Sequence, residues 1–145
     1  VIVTDVPEGA DVEWSAPLLD THTRLPVPLA ALLTITLVAL YNADVYDDAG
    51  NTIRSQEDIP IFVASDLPPM KAVYGARYVV DPTDPDDPTV LKLFLTFPAR
   101  LVPILDRASL YEVHVMLLRV VHTGGEFPLQ HGFRVENLRR FEAPA

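Results

Sequence analysis

The fold class turns on one run, Leu32-Leu33-Thr34-Ile35-Thr36-Leu37-Val38-Ala39-Leu40-Tyr41. Leu33, Ile35, Leu37, Ala39 and Tyr41 fall on one face and Thr34 and Thr36 on the other, the period of two expected of a half-buried β-strand. Asp47-Asp48-Ala49-Gly50-Asn51 then makes a turn, because Asp bonds back to the main chain and Gly takes positive φ, and Thr52-Ile53-Arg54 returns from it. Farther along, Thr89 to Phe97 sets Leu91, Leu93, Leu95 and Phe97 against Lys92 and Thr96. Tyr111 to His122 sets Tyr111, Val113, Val115 and Leu117 against Glu112 and His114. Thr123-Gly124-Gly125 turns the chain into residues 129–138, where Phe133 and Val135 oppose Arg134 and Glu136. Short strands are expected at Val1 to Val6 and Tyr78 to Val80, and 99–110, broken by Pro103, reads as a crossover between two sheets. Gln56 to Ala76 reads as irregular, with one edge strand.

These elements predict an all-β chain: an antiparallel β-sandwich or partly open β-barrel, with an extended N-terminal arm and Pro-rich loops. The expected organisation is an arm over 1–24, a single β domain over 25–141 and a short tail over 142–145. Trp14, the only Trp, either belongs to an arm that seeks a partner or covers the domain's own core. The uncharged stretch from Leu25 to Ala43 is long enough to suggest a membrane span. Pro26, Pro28, Thr34 and Thr36 interrupt it and no basic cluster flanks it, so a buried strand after a turn is expected and no membrane partner.

The 145 residues suit one domain, and 14 Pro against 6 Gly favour stiff loops over long helices. A net charge of −9 argues against a nucleic-acid partner. The absence of Cys removes disulfides, thiolate nucleophiles and Cys-ligated metals. Three Asn, two Gln and two Met are a sparing use of labile side chains, which predicts a thermostable protein.

No catalytic grammar emerges, and an enzyme is not expected. Ser15, Ser55, Ser65 and Ser109 lie in no nucleophile turn, and the glycines form no phosphate-binding loop. Asp106 and Glu112 are the best of a weak set of paired acids. Asp81, Asp84, Asp86 and Asp87 lie in the Pro-rich loop 81–88, which lacks the spacing that wraps calcium and is expected to be a solvated turn. His114, His122 and His131 could in principle approach one another, but their spacing of eight and nine residues fits no ligand pattern. No metal or cofactor is expected.

Val27-Pro28-Leu29-Ala30-Ala31-Leu32, the strand after it and Asn51-Thr52-Ile53-Arg54-Ser55 resemble small β-sandwich proteins from the structural gene blocks of tailed bacteriophages. So do Leu91-Lys92-Leu93-Phe94-Leu95, the crossover to Asp106, Tyr111 to Val121, Gly124-Gly125, and His131-Gly132-Phe133-Arg134-Val135-Glu136-Asn137-Leu138-Arg139. The resemblance spans roughly 25–140 and departs at 66–88, where an extra Pro- and Asp-rich insertion stands. It implies a non-enzymatic virion protein similar to capsid decoration (cement) proteins, assembled in the host cytoplasm and bound to the capsid surface. The implied partners are the major capsid protein and further copies of the chain, as a homotrimer. A neck or tail adaptor is the near alternative, and a cellular β-sandwich binding module a more distant one. The contact residues this implies are Val1, Ile2, Val3, Val6, Trp14, Leu18, Leu19 and Phe141.

Overall fold

The structure, a computed structural model, describes residues 2–63, 73–80 and 90–138. Eight strands run in chain order among them: β1 (Ile2–Pro7), β2 (Val12–Pro17), β3 (Leu32–Tyr46), β4 (Thr52–Val63), β5 (Arg77–Val80), β6 (Leu91–Phe97), β7 (Tyr111–His122) and β8 (Gly125–Glu136). They form two sheets, a five-stranded one in the order β1-β8-β7-β3-β4 and a three-stranded one in the order β2-β6-β5. The chain is all-β, and its sheets pack as a sandwich without closing into a barrel. Every pairing is antiparallel except β1 with β8, which is parallel.

The core fills the space between the layers. From the large sheet come Ile35, Leu37, Leu40, Met116, Leu118 and Phe133, and from the small one Val12, Leu93, Leu95 and Phe97. Aromatic rings bridge the layers: Phe97 meets Phe133 edge-on at 6.2 Å, and Trp14 meets His131 at 5.9 Å.

Two strands depart from simple alternation. In β3 the register against β7 slips between Leu37 and Ala39, so Val38 is an extra residue. Such a bulge reverses the faces beyond it: Ile35 and Leu37 point inward before it, Leu40 and Asn42 after it, while Leu33 lies exposed. In β7 the core face is not the one carrying Tyr111, Val113 and Leu117. Glu112, His114, Met116, Leu118 and Val120 are the more deeply buried set, because the crossover after β6 folds over the start of the strand and supplies partners for its polar groups.

Residues 2–17 are extended, as expected, but they do not stand clear of the domain. β1 pairs with β8 and β2 with β6, so the segment contributes one strand to each sheet. The reason is composition: Val6, Val12, Trp14 and Leu18 carry too much apolar surface to leave in water, and all four join the core. β4 is also longer than the expected return of Thr52 to Arg54, reaching Val63 as an edge strand. Its edge is blunted. Pro60 sits opposite Thr36 and supplies no N–H, as an edge strand tolerates, and Asp58 carries a positive φ of 51°.

Candidate interaction surface

Val6, Trp14 and Leu18, expected as contact residues, are 6 %, 7 % and 0 % exposed and therefore serve the chain's own core. Of the expected set whose side chains are described, Leu19 alone is at the surface. Ile2 and Val3 contribute backbone to β1, and Val1 and Phe141 lie outside the described residues, as does the acidic loop 81–88.

Four leucines are exposed along the loop between β2 and β3 and at the start of β3. Leu19, Leu25, Leu29 and Leu33 are 43 %, 64 %, 47 % and 40 % exposed. The loop between β2 and β3 carries the first three, and it is locked by its own hydrogen bonds. The Val27 N–H donates to the Leu18 carbonyl at 2.9 Å, Asp20 N–H to the Leu25 carbonyl at 3.0 Å, and Arg24 N–H to the Asp20 carbonyl at 2.7 Å. Asp20 Oδ1 accepts from the His22 and Thr23 amides at 2.7 and 3.2 Å, and Thr23 Oγ1 accepts from the Leu25 amide at 3.3 Å. Arg24 takes a φ of 58°, a left-handed conformation that closes the tip.

Two anchors fix this loop to the sheets. Asp20 Oδ2 lies 2.8 Å from His122 Nε2 at the end of β7. The amide of His22 in particular, with those of Thr23 and the His122 ring, holds the Asp20 carboxyl below its usual range. On the small sheet, the buried Tyr78 hydroxyl donates to the Val27 carbonyl, and desolvation pushes this phenol up to about 12. The loop thus offers leucines on a braced frame, with little ordering entropy left to lose on contact. The sequence signal for it was the start of the uncharged Leu25 to Ala43 stretch, expected as a turn before a buried strand. In the fold it makes a 3₁₀ turn over Leu29–Ala31 in front of β3.

Asp106 and Glu112 do meet, but as a brace. Glu112 is fully buried; its Oε1 accepts from Asn42 Nδ2 at 2.9 Å and the Leu105 amide at 2.8 Å, and its Oε2 from the Asp106 amide at 2.6 Å. The Asp106 carboxyl in turn caps its own turn through Ala108 N–H and Ser109 Oγ, both at 3.0 Å. Both acids are spent on backbone amides and neighbouring side-chain donors, which suits loop anchoring. His114 is buried beside them, 3.7 Å from Glu112 Oε1, and desolvation holds its imidazole below the usual value despite that carboxyl. His131 is likewise lowered by burial, with Thr4 Oγ1 at 2.8 Å from its Nε2. His122 lies at the far end of β7 from His114. Among the described residues no group of three or more His, Asp or Glu is placed to hold a metal ion.

A second concavity of about 470 Å³ lies on the outer face of the small sheet, lined by Glu13, Ser15, Gly75, Arg77, Phe94 and Thr96. The Arg77 guanidinium stacks 4.6 Å from the Phe94 ring centre there. No helix of the described residues is long and apolar enough to cross a membrane. Compared with known families, with curated proteins and with solved structures, the chain matches none.

Proposed function

We propose that the protein is a non-enzymatic structural component of a tailed-phage virion, a decoration protein that clamps neighbouring capsid subunits from outside. The observation that carries this reading is the rigid leucine surface of Leu19, Leu25, Leu29 and Leu33 on a frame whose polar groups are satisfied internally. Such a surface suits a permanent protein contact, in which preorganised apolar side chains give affinity without a folding cost. Self-association as a homotrimer would multiply each foothold by avidity. The contact residues move accordingly from the N-terminal strands to this loop. The pair Leu25→Asp and Leu29→Asp should leave the fold and melting temperature unchanged while abolishing co-sedimentation with capsids. Retention of binding by that double variant would overturn the role of the loop. Quantitative mass spectrometry of purified particles separates the positions: about one copy per capsid subunit supports decoration, and about a dozen places the protein at the neck or tail.

The groove on the small sheet favours a second reading, a cellular binding module for a polar ligand. Its support would be a ligand-dependent rise in melting temperature that Arg77→Ala removes.

A further inference from the structure

The inner face of β7 carries one buried group whose bonding is incomplete. His114 is 2 % exposed, and its Nε2 has no hydrogen-bond partner among the described residues. The ring bonds the Pro103 carbonyl of the crossover, so the other nitrogen, Nδ1, carries the proton of the neutral imidazole and Nε2 keeps a bare lone pair. That lone pair stands 3.7 Å from Glu112 Oε1, an acceptor beside an acceptor. Oε1 is already full: it accepts from Asn42 Nδ2 at 2.9 Å and from the Leu105 amide at 2.8 Å.

A proton on Nε2 reverses this. The ring becomes a charged donor, and a charge-assisted bond to the carboxylate, at about 2.8 Å, needs an approach of only about 1 Å. Two donors already hold Oε1, so one has to yield. Asn42 is 2 % exposed and sealed from solvent, whereas Leu105 is 43 % exposed and its amide lies on the crossover at the surface. A hollow of about 80 Å³ lined by Ile53, Ser55, Leu101, Pro103, Leu105 and His114 gives the ring and the turn room to move. Among the described residues the charged groups facing the ring are Glu112 on its own strand, Asp44 on β3 and, across the hollow, Arg54 on β4. β8 sets Phe133 opposite His114, and Asp106 of the crossover turns its carboxyl to Ala108 and Ser109. Burial outweighs the two acids and holds the imidazole below its ordinary value, which places the charging step below about pH 6.5.

We propose that His114 is a proton-operated latch on the crossover: a proton taken from solvent at Nε2 draws the ring onto Glu112 Oε1, displaces the Leu105 amide and loosens the turn from Pro103 to Asp106 while the sandwich stays folded. The Asp106 amide keeps Glu112 Oε2 at 2.6 Å, so the loosened turn remains tethered. The latch is separate from the leucine loop and does not depend on the virion reading.

The test is an NMR titration of the full ¹⁵N-labelled chain between about pH 7.5 and 4.5. The Leu105 amide should shift with the same midpoint as the His114 ring proton on Cε1, and its protection from hydrogen exchange should fall by about tenfold more than that of the Leu118 and Val120 amides. Asp44→Asn keeps an acceptor for the Val113 amide but removes an anion facing the ring, and should move both midpoints to lower pH together. His114→Gln should leave the Leu105 amide flat across the range. An unmoved Leu105 amide, a midpoint of its own in the carboxylate range, or loss of protection at Leu118 and Val120 in step with Leu105 would each overturn the latch. So would a shift of the Asn42 side-chain amide with none at Leu105, or a Leu105 midpoint that stays in place when Asp44→Asn moves that of His114.

Discussion

Glu112 shows how much one side chain can hold. Its two oxygens take three donors from two places, the Asn42 side chain on β3 and the Leu105 and Asp106 amides of the crossover. Glu112→Leu would leave the buried Asn42 amide without its acceptor and free the two crossover amides, and should cost about 2–4 kcal/mol, read as a lower urea midpoint. Glu112→Gln, which keeps an acceptor, should lose less. The sequence marked Glu112 and His114 as sharing a face by their spacing, but that this face is the inner one follows from a crossover no local pattern announces. The histidines set the pH response. Burial holds His114 and His131 below their usual value, so the folded chain binds fewer protons than the unfolded one. Stability is then complete above about pH 6.5 and falls as the pH drops below it, toward the lowered folded values. Denaturation at pH 7.5 and 5.5 should show this loss, and His131→Gln should shrink it. Asp5 and Asp20, held below their usual range by Arg134 and by the His22 amide respectively, respond only under more acidic conditions, below about pH 4.

At the scale of the element, β3 and β4 mark what alternation can and cannot tell. The period-two reading of β3 holds for Ile35 and Leu37 and fails on both sides of them, at Leu33 and beyond Val38, because the register against β7 slips at each place and a bulge depends on the pairing partner, leaving no trace in the strand's own residues. The turn at 47–51 was legible in full: Asp47 Oδ1 accepts the Ala49 and Asn51 amides at 3.0 and 2.9 Å, and Gly50 has a φ of 84°. β4 was legible only in pieces, the return at Thr52 to Arg54 and one edge strand within 56–76, because Pro60 argues against a continuous strand unless it lies at an edge with its missing N–H outward. Pro60→Thr should therefore leave the sandwich intact while opening a continuous donor row. Light scattering during incubation at 37 °C should show faster aggregation than in the parent chain.

For the whole molecule, the sandwich class was legible from strand count, turn residues and the lack of helical periodicity. The topology was not, since it rests on pairings between distant segments. β2 finds β6 across some eighty residues, and β1 finds β8 across 129, with Val6 and Val135 paired in the core. An N-terminal segment of this kind looks like an arm until its partners are known. Its removal should accordingly unfold the chain: a variant lacking residues 2–17 uncovers Phe97, Leu95 and Phe133 and should lose its cooperative thermal transition.

The parallel alliance of β1 with β8 also sets a timetable. A ribosome makes the first strand of the large sheet before any other and its mate last, at about 5–20 residues per second. For most of its synthesis the nascent chain carries Ile2 to Pro7 as an unpaired ribbon. The sheet can be completed only after His131 to Glu136 have left the exit tunnel. Closure is thus an event of high contact order that waits on the last strand of the sheet, and its rate should govern how quickly the sandwich becomes complete.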